Sequence, residues 1–282
     1  MTSIAKAVYK RAVRALPLKM AISLKYFSET GRFPSFSHPK DFNEKIQVSK
    51  LYDRNPLMTV CSDKVLVKNY AAGLIGTKHV IPTLWSGVEF TAREARTWPI
   101  PFVIKANHAS GANHFVRSRE ELDWAEIETL CKDWLTNPYQ PHLHEWAYEN
   151  IKPQILVEPF ISSDLILPLD YKIFVFNGVS HFIQVDVDRE NNHKRCFYDR
   201  TWTKCDFALQ YPFYEGAVAA PQNLEQMLFF AETLSGDFPF VRCDFYEVEG
   251  RIYFGEMTFY PGSGFETFTP REWDRTFGNL WT

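Results

Sequence analysis

Val241-Arg242-Cys243-Asp244-Phe245-Tyr246-Glu247-Val248-Glu249-Gly250-Arg251-Ile252-Tyr253-Phe254-Gly255-Glu256-Met257-Thr258-Phe259 reads as two apolar-alternating runs around a short polar turn, the signature of a β-hairpin. Alternation places Arg242 and Asp244 on one face of the first strand. It places Ile252, Phe254, Glu256 and Thr258 together on one face of the second. With Glu249-Gly250-Arg251 as a three-residue loop, Asp244 stands opposite Glu256; a two-residue loop shifts the register by one. Opposed Cβ atoms lie roughly 4.5–5.5 Å apart. Two carboxylates that close, walled by Val241, Cys243, Phe245, Phe254 and Phe259, repel one another in a poorly solvated site. A hard divalent cation such as Mg2+ relieves this, because it takes one or two carboxylates plus phosphate oxygens. The plainer reading is a solvated hairpin face carrying two unrelated acids.

The rest of the composition narrows the classes. A chain of 282 residues can bury a real core in one large domain or two lobes. A net charge of −3 gives no basic footprint for nucleic acid. The five cysteines (61, 131, 196, 205 and 243) are odd in number and form no Cys-x-x-Cys pair. That pattern suits core thiols in a reducing compartment better than disulfides or structural zinc. No apolar run approaches the ~18–20 residues of a membrane span and no signal peptide is visible. A cytoplasmic protein is expected.

Residues 1–40 are basic, with Lys6, Lys10, Arg11, Arg14, Lys19, Lys25, Arg32 and Lys40 against Glu29 alone. Ile4, Val8, Ala12 and Leu16 recur at near-helical spacing before Pro17. The first reading is a helical cap on the main domain; the second is an amphipathic helix on the anionic inner membrane surface. A short helix ends before Pro56, and Ser62 or Asp63 caps a second one, Lys64–Ala72, stopped by Gly73. Phe102–Lys105 is a buried-type strand leading into the small-residue loop at Ser110-Gly111, a candidate phosphate clamp with Lys105 as point charge. Glu120–Leu135 reads as a helix. Pro138 and Pro141 mark a loop, in which His142 and His144 are taken as loop histidines rather than metal ligands. Ile155–Ile161 is another buried strand carrying Glu158 before Pro159 and Phe160. Asp170–Phe176 and Val179–Val187 form a hairpin on Asn177-Gly178, with Asp170 and Lys172 on one face. Residues 188–195 make a charged loop, Leu224–Leu234 a helix, and residues 261–264 a flexible loop.

Taken together, Asp-Phe-Asn-Glu-Lys-Ile-Gln (41–47), Asp-Arg-Asn-Pro-Leu (53–57), Lys-Ala-Asn-His-Ala-Ser-Gly (105–111), Asp-Tyr-Lys (170–172) and Tyr-Phe-Gly-Glu-Met-Thr-Phe (253–259) resemble the TupA-like branch of the ATP-grasp superfamily, known from polysaccharide biosynthesis. The resemblance implies an α+β fold: two lobes whose antiparallel sheets clamp ATP, preceded by a short helical N-terminal region. Its lobes would divide at 1–58, 59–157 and 158–282. It implies ATP and two Mg2+ ions as cofactors, with Lys64, Lys105, Ser110 and Gly111 at the phosphates. Glu158, Pro159 and Phe160 would form the adenine-reading hinge, and Asp170 would meet the ribose or the adjacent lobe. Asp244 and Glu256 would hold metal, and Arg242 the transferred phosphate, with Lys172 and Arg189 as further cations. Many such enzymes carry Glu-x-Asn where this chain has Glu256-Met257-Thr258; threonine still offers a hard oxygen.

The implied activity is ATP-dependent joining of a carboxylate to an amine through an acyl phosphate. The implied partners are a carboxylate-bearing sugar or glycan of bacterial surface polysaccharide, here a uronic acid, and an amino compound. Three rival classes stand beside it. A glycosyltransferase would want Asp-x-Asp, which the sequence lacks. A sugar kinase would pass phosphate to the glycan, and a non-catalytic scaffold would bind ATP or glycan without turnover.

Overall fold

The computed structural model describes residues 16–137, 141–162 and 164–282. Ile4, Val8, Ala12, the cations Lys6 to Arg14 and the loop proline Pro138 lie outside the described residues.

Helix α1 (Leu18–Thr30) starts directly after Pro17 and buries Ala21, Ile22 and Tyr26. Helix α2 (Phe42–Tyr52) opens with a capping box in which Asp41 and Glu44 satisfy each other's backbone amides. Helix α3 (Pro56–Ser62) follows, then a turn in which Asp63 Oδ1 accepts from the amides of Val65 and Leu66. The helix expected from Lys64 therefore begins only at α4 (Val67–Ile75), leaving Lys64 in the turn, and it runs through Gly73. Buried Ala71 and Ile75 offset the cost of glycine in that interior, about 1 kcal/mol.

The smaller sheet is built from β1 (Trp85–Gly87), β2 (Phe102–Ala106), β3 (Asn113–Val116) and, after α5 (Trp124–Thr136) and α6 (Trp146–Glu149), β4 (Ile155–Pro159). Its order is β1-β4-β2-β3, all antiparallel. Asp123 caps α5, so that helix starts four residues later than the sequence pattern suggested. Phe102, Ile104, Val116, Ile155 and Val157 meet Ile127 and Cys131 of α5 in a core separate from the main one.

The larger sheet comprises β5 (Asp170–Phe176), β6 (Val179–Val187), β7 (Lys194–Asp199) and, beyond the short β8 (Ala208–Leu209) and α7 (Leu224–Ser235), β9 (Phe240–Val248) and β10 (Arg251–Thr258). Its order is β10-β9-β5-β6-β7, again antiparallel throughout. The chain closes with β11 (Phe268–Thr269) and α8 (Glu272–Leu280). Helix α7 covers one face of this sheet, where Cys243 meets Ala231 and where Tyr171, Ile173 and Val175 are buried. On the opposite face the side chains change character along the strands. Phe174, Phe176 and Phe240 pack on Phe42 of α2 and Phe277 of α8. Asp170 and Lys172, earlier on the same face of β5, are left to line a cleft.

Helices α3 and α4 pack into this larger core: Met58, Cys61, Val67 and Ala71 share it with Ile46 and Cys243. Residues 59–75, grouped by the sequence reading with the smaller lobe, thus belong by packing to the larger one. The 261–264 segment, expected to be flexible, is a buried turn, because Gln47 Nε2 donates to the carbonyls of Ser263 and Gly264 and Lys50 Nζ to Ser263. The charged loop ends at residue 193, where β7 takes over.

Candidate functional site

The 241–259 hairpin forms, with two corrections. Its loop has two residues, Glu249 and Gly250, both at positive φ, and Arg251 pairs with Val248. That register alone would misalign the acids. A bulge at Gly255 restores it: Phe254 pairs with Phe245, and Glu256 pairs with Asp244. The bulge also splits the expected face. Ile252 and Phe254 point into the core, whereas Glu256 and Thr258 point with Arg242 and Asp244 toward the cleft. Only a residue without a side chain sits easily at 255, since a Cβ there would lie 3.1 Å from both Asp244 O and Tyr246 Cε2.

The cleft between the two sheets consists of three adjoining cavities. A cavity of about 310 Å3 is lined by Val103, Phe115, Pro159, Phe160 and Tyr246. A central one of about 470 Å3 shares Lys105, Glu158, Arg189 and Tyr246 with it. The third, about 440 Å3, shares Lys64, Ser110, Arg242 and Glu256 with the central one and no residue with the first. The central cavity also takes in Gly111, Asp170, Lys172 and Asp244. Thr258 lines the third. Every site residue singled out in the sequence therefore borders this one cleft.

Lys64 reaches it from the turn before α4. Its amide donates to Asn107 O, its Nζ donates to Ala109 O at 2.9 Å, and it pairs with Glu256 at 3.2 Å. Lys64 thereby ties the Ser110-Gly111 loop to the larger lobe. The root of that loop is fixed by buried Asn107, which bonds Gln154 and Lys152. Lys105 leaves β2 and pairs with Glu158 at 2.5 Å, and Glu158 also pairs with Lys68 at 2.5 Å. Burial pushes the Glu158 carboxyl upward, but Lys105 and Lys68 together hold it below its ordinary value. Glu158 is thus a β4 residue that positions two lysines. The amide of Phe160 donates to Pro101 O.

On the larger sheet, Lys172 lies opposite Asp244 in register and bridges Asp170 and Asp244 at 2.5 and 2.7 Å. Arg242 grips Asp244 with two hydrogen bonds, Nε and Nη2 each at 2.7 Å, and donates to Thr258 Oγ1 at 3.1 Å. Arg189 completes the row by donating to Asp170 Oδ2 at 2.9 Å. Burial raises the Asp244 carboxyl, against the pull of Arg242 and Lys172. Burial acts the same way on Glu256, but there Lys64, Lys172 and Arg242 win and lower its pKa to about 2. Lys172 and Arg242 are both raised, because their carboxylate partners outweigh the effect of burial.

Asp244 Oδ1 accepts one hydrogen bond and keeps a lone pair, and Glu256 lies beside it with a partly exposed carboxylate. This is an oxygen donor pair on neighbouring strands, suited to Mg2+ held jointly with phosphate and not to an all-protein cage. Thr258 Oγ1 already serves Arg242 and Glu256, which leaves it less to offer a metal. Asp170 Oδ1 is buried without a hydrogen-bond partner among the described residues, an acceptor suited to a sugar hydroxyl.

Sequence reading missed one wall of the central cavity. Asp186, on β6, stands opposite Asp170 of β5 and opposite Arg195 of β7. Arg195 bonds Asp186 at 2.7 Å, and the His193 ring lies tilted against Tyr211 with centroids 3.8 Å apart. Strict alternation from the Asn177-Gly178 turn would set Val185 opposite Asp170 and turn Asp186 away; an irregularity at His181 shifts the register by one and brings Asp186 to the cleft face, which the sequence pattern does not signal.

Two antiparallel sheets closing on a lysine-walled cleft, with paired acids on a terminal hairpin, form the ATP-grasp architecture. The model of the TupA-like ATP-grasp family matches residues 44–282, and the chain belongs to that family. Among solved structures, it is similar to a D-alanine–D-alanine ligase from Helicobacter pylori (18% identity over 86% of this chain and 67% of that one, TM-score 0.46). It is also similar to an L-amino acid ligase from Bacillus licheniformis (14% identity, 87% and 55%, TM-score 0.47) and to a D-alanine–D-alanine ligase from Bacillus anthracis crystallised with ATP (14%, 71% and 53%, TM-score 0.42). The chain spans about half to two thirds of the length of these proteins. No curated protein gives a significant match.

Proposed function

We propose that this protein is an ATP- and Mg2+-dependent carboxylate–amine ligase that activates a carboxyl group as an acyl phosphate. The observation that carries this reading is the confluence of Lys64, Lys105, Arg242, Asp244 and Glu256 on one cleft, reached from both sheets. Adenine would lie in the apolar cavity between Val103, Phe115, Phe160 and Tyr246, and the phosphates in the central one. There Lys64 and Lys105 would neutralise phosphate oxygens, with the Ser110-Gly111 amides as further donors. Asp244 and Glu256 would hold Mg2+, which screens phosphate charge and orients the nucleotide for transfer. Arg242, fixed by its two bonds to Asp244, would present its remaining donors to the transferred phosphoryl group. Lys172 and Arg189 would keep the acid row neutral and aligned. No nucleophilic side chain is required, because such transfer asks the protein for positioning and charge.

The carboxyl is read as that of a uronic acid in bacterial surface polysaccharide, on the TupA-like resemblance alone. Mass spectrometry of uronic-acid glycans incubated with protein, Mg-ATP and an amine mixture tests it. A mass gain corresponding to an amide is expected. Transfer of phosphate or sugar, with no amide, would contradict it.

A cytoplasmic enzyme held peripherally at the inner membrane is part of this reading. No helix among the described residues is long and apolar enough to cross a membrane. Residues 1–28 contain Lys6, Lys10, Arg11, Arg14, Lys19 and Lys25 and no acid. Helix α1 leaves Met20, Leu24 and Phe27 exposed at one-face spacing, and Phe33 stacks on Phe27 at 4.6 Å. Binding to phosphatidylglycerol vesicles but not to phosphatidylcholine vesicles is expected, reduced by Met20→Ser and Phe27→Ser. Equal recovery with both vesicle types would contradict it.

A further inference from the structure

The third cavity lies at the opposite end of the cleft from the apolar one and meets the central cavity at Arg242 and Glu256, the phosphoryl end in the ligase reading. Its far walls come from α1, the segment before α6 and the 261–264 turn. Four acids border it, and three are matched by cations. Glu29 pairs with Lys25, Glu256 with Lys64 and Arg242, and Glu266 with Arg195. Glu145 is different. It is 8% exposed and forms no ion pair among the described residues. Lys50, the cation that acts on it, is itself fully buried, with its Nζ donating to Ser263 O at 2.7 Å and Ser263 Oγ at 2.6 Å. Ser263, at φ 56 and bonded by Gln47 and Lys50, lines the same cavity as Glu145.

A carboxylate taken out of water without a paired cation is costly unless something positive binds to it. From this geometry we infer that the third cavity receives the amine substrate, entering as an ammonium ion, and that Glu145 holds it and accepts its proton. This rests on the ligase reading above. The protonated amine gives one proton to the Glu145 carboxylate and becomes a free amine. Its lone pair then forms the C–N bond at the acyl carbon, while the C–O bond to phosphate breaks and phosphate leaves with the electron pair. The second nitrogen proton leaves with the phosphate. Burial pushes the Glu145 carboxyl above its ordinary value, which makes it a stronger base than a surface glutamate.

Isothermal titration on protein loaded with Mg-ADP, using ammonium, ethanolamine, putrescine, L-alanine and L-glutamate as probes and glucuronate as the contrasting carboxylate, tests the assignment. At least one amine is expected to bind the wild type. Glu145→Gln should weaken it tenfold or more, Glu145→Asp should weaken it less, and ADP affinity should stay unchanged in both. ADP affinity also reports that the variants fold. Overturning results are an ADP-competent wild type that binds none of the amines, or a Glu145→Gln protein that binds them as the wild type does. Wild-type protein that fails to bind ADP would instead remove the ligase reading, and this inference with it.

Discussion

Glu158→Gln removes the one buried acid between two half-buried lysines. The carboxylate is 4% exposed and meets Lys68 and Lys105 at 2.5 Å each. At an effective dielectric of about 20, each contact is worth roughly 6–7 kcal/mol of Coulomb attraction before desolvation takes back several kcal/mol per ion. Deleting one member of such a set and leaving its partners charged costs about 3–5 kcal/mol. An unfolding entropy of about 2.1 cal/mol/K per residue gives roughly 0.6 kcal/mol/K for this chain. The melting temperature should therefore fall by about 5–9 °C at pH 7. Glu158 has its folded pKa held below the ordinary 4.5, so its contribution is present above that value and is lost as pH falls through the lower folded one. The gap between wild type and variant should narrow at acid pH. Removing Lys68 as well (Lys68→Met) should recover part of the loss, because one stranded cation goes with the acid. Calorimetry at pH 7 and pH 4 would show this; a variant melting within about 2 °C of the wild type at pH 7 would refute the reasoning.

Three further outcomes are expected. Gly255→Val places a Cβ against Asp244 O and Tyr246 and should destabilise by about 1–3 kcal/mol while weakening nucleotide binding, read by urea melts and ADP titration. Lys50 is pulled down from 10.5 to about 7 by burial, against the attraction of Glu145. Between those values the unfolded chain holds a proton that the folded chain lacks, so stability rises with pH there, and Lys50→Met should flatten that slope in melts at pH 7 and pH 9. Lys105→Ala should weaken ADP binding by roughly 10- to 150-fold, the equivalent of about 1.5–3 kcal/mol, and an unchanged affinity would remove Lys105 from the phosphate site.

Local chemistry made much of this fold readable. Asn177-Gly178 set one hairpin, and alternation set the buried strands. Some misreadings were local, such as the helix starts set by Asp63 and Asp123; others come from the influence of distant partners on a local signal. A glycine in a strand signals a bulge, yet which face Ile252 and Phe254 take depends on the core they meet. Pro261-Gly-Ser-Gly looks flexible until Gln47 and Lys50, more than 200 positions earlier, are placed beneath it. In the cleft, the residue types were legible but their pairing was not. That Arg242 spends two donors on Asp244, that Glu158 holds Lys105, and that Asp186 and Arg195 form a further wall all depend on strand order.

The claim that the cleft is a Mg-ATP site is tested most directly by ADP titration with and without Mg2+ on the wild type, Asp244→Asn and Glu256→Gln. The wild type should bind more tightly with Mg2+, and both variants should lose that gain. Full Mg2+-dependent binding in both variants would contradict the assignment of Asp244 and Glu256.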